Sequence, residues 1–423
     1  MTIPRYALRA ILDLYVVFVL ILSTDAFLPL IVGGNDSTQV RDGSPVMQLA
    51  WAGVYAITLL SLLRNRGRIP PMLSANKALL AVLFVELAST LWSLDPSVTL
   101  HAGATLLLST LVALDLSLRY SMNRMMRLVW IALATVIALS VVVELAFPGL
   151  VPGHELEAGA WHGVFGAKNE FGRIICLGVI ASLALPGQSK LRRIAVVVAG
   201  SVLALLCRSA GALLYVLAMA SLFAGWSVFK WKPLPRRSAL GAVAILVLAA
   251  GYYVSQNLES VTAALGRDPH LTGRTDLWAL SIADIGEKPL LGYGNLAFWT
   301  TGSAPARRIR EEIKWDDAPH AHNGYIDILL SVGVVGLAAY FVFVAEIAKR
   351  SYRFFMDGAE TIRRWPLTCG AFLLAYQLTE ADLLIGNTIV WMLFCGVAFY
   401  LTPPSTRAAM LRLPQHQTLA LRA

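Results

Sequence analysis

Apolar runs long enough to cross a bilayer recur from one end of this chain to the other. Residues 6–32, 125–148, 239–254 and 324–347 are the clearest. An α-helix needs about 20 such residues to cover the roughly 30 Å of hydrocarbon in a membrane. Helices also satisfy their own backbone polar groups there. About twelve spans follow from this pattern. They are centred near residues 19, 55, 85, 108, 137, 179, 201, 219, 247, 336, 374 and 394, with the sixth and seventh short. Composition agrees, since only 14% of the 423 residues are charged, against about 25% in an average soluble domain. The expected fold is an all-α polytopic membrane protein.

A net charge of +9 raises the question of a nucleic-acid partner, and the placement of the charges answers it. With the N-terminus in the cytoplasm, every cytoplasmic connection is basic. These connections hold Arg64, Arg66, Arg68 and Lys77; Arg119, Arg124 and Arg127; and Lys190, Arg192 and Arg193. They also hold Lys230, Lys232, Arg236 and Arg237; Lys349, Arg350, Arg353, Arg363 and Arg364; and the tail Arg407, Arg412 and Arg422. That is the positive-inside rule, so the charge is topological and implies no nucleic acid. Both termini are expected in the cytoplasm. Residues 1–31 have a basic start and a long apolar run without a small-residue cleavage site, which reads as an uncleaved first helix. Cys176, Cys207, Cys369 and Cys395 all fall in apolar spans, without disulfide or zinc spacing.

The organisation expected is one membrane domain with two external insertions. N-terminal helices occupy 1–254, interrupted at about 148–171; a large external loop covers 255–322; further helices cover 323–402; and 403–423 is a cytoplasmic tail. The large loop far exceeds the about 12–15 residues that usually mark the upper end for a loop without function. In it, Thr272-Gly-Arg-Thr-Asp starts a helix, with Asp276 at the positive end of the helix dipole. Trp278, Ile282 and Ile285 form an apolar stripe suited to lying on the membrane domain, and Arg274 shares a face with Trp278. Glu287-Lys-Pro-Leu-Leu-Gly-Tyr-Gly-Asn ends that helix in a turn. Residues 306–315, dense in both signs of charge, read as a solvated helix. Pro319-His-Ala-His-Asn-Gly then enters the tenth span, which puts His322 at the outer membrane boundary.

Each polar group has an ordinary explanation when taken alone. Arg274 suits any amphipathic helix, and His-x-His is a weak metal signature. Lys168-Asn169 with Arg173 suits a membrane edge, and Arg208 suits a snorkelling helix end.

Together they carry a resemblance. Trp161-His-Gly-Val-Phe-Gly-Ala-Lys-Asn-Glu-Phe-Gly, Gly273-Arg-Thr-Asp-Leu-Trp and His320-Ala-His-Asn-Gly-Tyr-Ile-Asp resemble the O-antigen ligase and polysaccharide polymerase superfamily, in its exopolysaccharide repeat-unit polymerase branch. The stretch from Glu380 to Asn387 looks like the final helix pair of that branch, so the likeness spans roughly 150–400. Two positions depart from the pattern: Ala167, where members often carry histidine or another polar residue, and Arg208-Ser209, where many have the reverse order.

The resemblance implies a multi-helix glycosyltransferase that uses polyprenyl-linked sugars. Its donor would be an oligosaccharide on undecaprenyl diphosphate, presented at the outer face of a bacterial inner membrane. Its acceptor would be a glycan hydroxyl, and a flippase and a chain-length regulator would be pathway partners. His322 would be the general base and Arg274 the diphosphate clamp. Arg208, Lys168 and Arg173 would be further cations for the same anion, with His320, Asn323 and Asn169 completing the substrate-binding set. No metal and no cofactor are expected, because diphosphate is already a good leaving group and arginines can meet its charge. Ligation to a lipid A core, or to a protein side chain, is the nearest alternative. A transporter is the rival from another class; it would use intramembrane carboxylates. Glu86 is the deepest candidate for that role, Glu144, Glu380 and Asp382 lie nearer the outer ends, and no matched pair of interrupted helices is evident.

Overall fold

A computed structural model describes residues 4–32, 44–147, 149–150, 159–231, 274–316, 318–403 and 406. The described residues are helical, with no strand among them. The span expected near 247, Ser255 to Gly273 of the large loop, residues 151–158 and nearly all of the tail lie outside the described residues.

The main helices are α1 (Arg5–Leu22), α2 (Pro45–Arg64), α3 (Lys77–Ala88), α4 (Pro96–Arg119), α5 (Met122–Ala146), α6 (Lys168–Ala184) and α7 (Lys190–Leu206). They continue with α8 (Ala210–Gly225), α9 (Arg274–Glu287), α10 (Ala304–Ile313), α11 (Gly324–Met356), α12 (Trp365–Tyr376) and α13 (Ile389–Tyr400). Among the described residues, five helical segments are long and apolar enough to cross a membrane: α2, α4, α5, α8 with its continuation to Lys230, and α11. A sixth counts if the pair 66–74 and 77–92, bent by 92°, is one span. Helices also form at the expected centres 19, 179, 201, 374 and 394, but α6 and α7 have 17 residues and α12 and α13 only 12.

The packing suits a hydrocarbon solvent. Leu14, Leu49, Leu60, Phe84 and Leu214 are exposed apolar side chains on outward helix faces, a surface that water disfavours. Helix α6 is the opposite case, with every residue from Phe171 to Ala184 buried. It packs against α5, α7, α8 and α12.

The turns gather at two ends of the bundle. At one end Arg350 bonds Asn76 at 2.8 Å and pairs with Glu346, while Arg193 reaches Thr361 at 3.2 Å. At the other, Phe27 N–H donates to Val164 at 3.0 Å, Trp161 N–H to Leu206 at 3.0 Å and Ile389 N–H to Ser23 at 2.6 Å. These are the turns that the positive-inside reading assigns to opposite faces.

The external helices and the long span α11 each depart from the sequence reading. The Trp278-Ile282-Ile285 stripe does not face the protein as a unit, because Ile282 is 58% exposed. Leu277, Ser281 and Asp284 form the buried face instead. Tyr293 Oη donates to the Asp284 carbonyl at 2.8 Å and Arg308 bonds its carboxylate at 2.5 Å, which makes a polar side chain the better inward group. Similarly, α10 is not wholly solvated, since Ala306, Ile309 and Arg310 are buried.

The second departure is an interruption in α11 at Gly333 (φ 63°, ψ −164°). The chain after α9 runs along this break and is stitched to it. Tyr293 and Gly294 N–H donate to Leu330 and Ser331 at 2.7 and 2.8 Å, and Val334 N–H donates to Pro289 at 2.9 Å. A Cβ on Gly333 would stand 2.3 Å from the Leu290 carbonyl, so only glycine fits.

Candidate active site

The turn into α11 is held from both sides. Asn323 caps the helix, its Oδ1 accepting from Tyr325 and Ile326 N–H at 3.1 and 3.3 Å. The Asp327 carboxylate accepts from Ala321 N–H at 3.1 Å and from the Trp299 indole at 2.6 Å. Trp278 donates to the Ala321 carbonyl at 2.8 Å. Fixing the peptides on either side drives His322 to φ 48°, a conformation that non-glycine residues adopt at some cost. Its N–H donates to His320 Nδ1 at 3.0 Å, the two rings are 4.2 Å apart, and Trp315 stacks on His322 at 5.3 Å.

Three further segments converge on His322. The 377–388 connection docks through Gly324 N–H, which donates to the Gln377 and Glu380 carbonyls at 2.8 and 3.1 Å. Glu380 Oε2 then lies 3.2 Å from His322 Nδ1. A carboxylate only accepts, so this contact calls for the tautomer with its proton on Nδ1, which leaves Nε2 of a neutral ring free as a base; the Arg274 guanidinium, also only a donor, then stands beside Nδ1 without bonding it. His322 Nε2 is buried and finds no hydrogen-bond partner among the described residues. Arg274, at the start of α9, donates to the Thr379 carbonyl at 2.8 Å, with Nη2 3.3 Å from His322 Nδ1 and 3.6 Å from Glu380 Oε1. From α6, Asn169 donates to Glu380 Oε1 at 2.7 Å and accepts from Ser209 Oγ at 3.3 Å.

The electrostatics follow from this crowding. Burial alone would raise the Glu380 carboxyl, but the hydrogen bond with His322 and the neighbouring His322, His320 and Arg274 side chains outweigh it and hold it below its ordinary 4.5. Burial, reinforced by His322 and Arg274, pushes His320 from 6.5 down to about 3, so it is neutral at physiological pH.

The sequence-derived residues therefore fall into groups. His322, Arg274, His320 and Asn169 meet at one point, and Asn323 is committed to capping. Lys168 opens α6 half-buried. Arg208 is exposed in the left-handed region (φ 49°), with its guanidinium against Gly159. Arg173, only 4% exposed, pairs with Asp382 and so anchors the 377–388 connection. Glu380 is the member that residue-level reading missed. Its only signals were a carboxylate in an external turn and its place in the last resembling stretch.

His320, His322 and Glu380 each offer a ligand atom within 4.8 Å of the others, the spacing of a small metal site. Arg274, 3.6 Å from Glu380, opposes a dication there by like-charge repulsion.

Residues 195–341 match the model of the O-antigen ligase family. That segment includes Arg208, Arg274, His320, His322 and Asn323. Over 259 residues the chain is 27% identical to the exopolysaccharide production protein ExoQ of Rhizobium meliloti (strain 1021), covering 58% of this chain. The match spans 60% of that protein, less than two thirds of its length. Domain match, relative and motif residues together support placing this chain in the O-antigen ligase and polysaccharide polymerase superfamily.

Proposed function

We propose that the chain is a glycosyltransferase of the bacterial inner membrane that polymerises lipid-linked repeat units at the external face. The donor is an oligosaccharide on undecaprenyl diphosphate, and the acceptor is a sugar hydroxyl of a second repeat unit. The observation that carries the reading is the meeting of Arg274, His322 and Glu380 from three separate segments. Residues 255–322 form the external loop that delivers Arg274 and His322, with the termini on the cytoplasmic side.

In the reaction, His322 Nε2 takes the acceptor hydroxyl proton as the oxygen attacks the anomeric carbon. The bond from that carbon to the diphosphate breaks, and the lipid diphosphate leaves with the electron pair. Glu380 steadies the imidazolium that forms, the role an acid plays behind a catalytic histidine. Arg274 supplies charge for the departing diphosphate, and its planar fork suits two phosphate oxygens better than an ammonium would. Lys168 and Arg208, presented by neighbouring turns, add to the field. No step requires a metal. ExoQ's printed role in exopolysaccharide production favours polymerisation over ligation to a lipid A core. A flippase and a chain-length regulator would act before and alongside it.

The test is turnover of a purified lipid-linked repeat unit, with and without a chelator. Removing a general base costs about 10²–10⁴-fold in rate. His322→Ala is expected to lose at least that much at normal protein yield, and chelation to leave the wild type unchanged. Near-normal turnover by His322→Ala would remove the base assignment. In cells lacking the protein, single lipid-linked repeats should accumulate; long lipid-linked chains would mean a ligase, and unchanged glycans with lost solute flux a transporter.

A further inference from the structure

On the other side of the His320 turn lies a cavity of about 460 Å³, within the about 300–1,000 Å³ range of small-molecule sites. Glu86, His101, Asn295, Trp299, His320 and Asp327 are the polar and aromatic members of its wall that matter here. Arg274, Lys168, Arg173 and Arg208 contribute nothing to that wall, and neither does any other lysine or arginine among the described residues. Its ionisable groups are acids and histidines, which disfavours a diphosphate.

Two buried polar atoms in the wall are left without partners among the described residues. Glu86 is 1% exposed and its Oε2 has no partner; Asn295 is 2% exposed and its Nδ2 lacks an acceptor. Burying either unpaired is costly, so each marks a place where a ligand group belongs. Their polarities decide the class of ligand. A metal ion would leave the Asn295 Nδ2 donor unmet. A hydroxyl, which both donates and accepts, suits the two together. Trp299 adds an apolar ring edge, held in place by the bond to Asp327. His320 supplies a third polar group: its Nδ1 is occupied by the His322 N–H, so the neutral ring carries its proton on Nε2, a donor for a hydroxyl oxygen.

We propose that this cavity is the acceptor subsite, binding an uncharged sugar of the incoming glycan through Glu86, Asn295, His320 and Trp299. The proposal rests on the glycosyltransferase reading and adds the place of the second substrate. The His320 turn then divides the site, with the diphosphate on the cationic side and the acceptor sugar on the acidic side. The imidazole that takes the proton is 4.2 Å, ring to ring, from the one that touches the acceptor. Glu86 becomes a sugar-binding group rather than a step on a transport path.

The test uses full-length purified protein and two probes: the lipid-linked repeat unit itself, and the free repeat-unit oligosaccharide released from it by mild acid and fluorescently tagged. Wild type should bind the tagged oligosaccharide and extend it from the lipid-linked donor. Glu86→Gln and the isosteric Asn295→Asp, with melting temperature and yield checked, should each weaken oligosaccharide binding at least tenfold while donor binding stays unchanged. Unaltered oligosaccharide binding in both variants overturns the proposal, as does an equal loss of donor binding. A divalent ion that displaces the oligosaccharide, through Glu86 but not Asn295, would mark a cation site and also overturn it. If oligosaccharide binding depends on both residues while the lipid-linked donor is never consumed, the subsite stands and the polymerase reading fails.

Discussion

His320 and His322 are separated only by Ala321, yet their surroundings assign them different work. The Nδ1 of His322 faces a carboxylate, which favours a proton there, while the Nδ1 of His320 accepts a backbone N–H and must be bare. The pH dependence of stability should show this. His320 has a folded-state value of about 3 against 6.5 ordinarily, so the unfolded chain binds its proton first as pH falls. Its effect is absent above about 6.5, and each unit of acidification between there and about 3 costs the native state up to about 1.4 kcal/mol. His322, Glu380 and Arg274 surround it in both wild type and variant. In His320→Asn, whose Oδ1 can still accept the His322 N–H, the melting temperature should fall less steeply from pH 6.5 to 4.5. Parallel slopes would mean that another group takes the proton. At this scale the sequence was informative where a motif was local: Arg274 and the His-x-His-Asn run were both legible. Glu380 was not, because its role exists only through contacts with Asn169, Arg274 and His322, each distant in sequence. Asn323 shows the converse, a motif residue whose side chain is used for capping.

Among the elements, α11 teaches most about what an apolar run hides. Residues 324–347 read as one span, and glycines are ordinary in membrane helices. Nothing local distinguishes Gly333 from Gly336, but only Gly333 has positive φ, and the Leu290 backbone lies against it. The break matters because the stitched segment continues to Asn295 and Trp299, in the cavity wall. Gly333→Ala would combine a strained φ, roughly 1–3 kcal/mol, with a clash against backbone that cannot swing away. The expected result is a lower melting temperature in detergent together with weaker activity, whereas Gly370→Ala, with open space at its Cβ, should be nearly silent. Equal effects at the two positions would remove the argument from the break. The helices α12 and α13 are shorter than a full span for a related reason. Their apolar sequence continues into the 377–388 connection, where Leu383, Leu384 and Ile385 are buried without being helical. Apolar composition reports burial, and burial here belongs to a turn that brings Glu380 to the site.

At the scale of the whole molecule, charge bias carried more information than any motif. Most contributors to the site come from turns that the positive-inside reading puts outside: 92–97, 162–169, 208–209, the loop ending at His322, and 377–388; Glu86 and Asp327 come from the helices next to them. That their side chains meet at one end of the bundle is a geometric consequence the sequence could not supply, since a charge count orders the turns by side and says nothing of their neighbours. The sidedness itself can be measured. Thr301, exposed near the cavity, and Ser74, exposed at the opposite end, are suitable positions for single cysteines. The four native cysteines are buried, so replacing them with serine or alanine gives a quiet background. With the outer membrane permeabilised, Thr301→Cys should react with an impermeant thiol reagent in intact cells, and Ser74→Cys only after lysis. Reversed labelling would put Arg274, His322 and the cavity on the cytoplasmic face, where an externally presented lipid-linked glycan could not reach them. Because chemistry and sidedness are tied in this way, that result would reject the polymerase reading without any assay of activity.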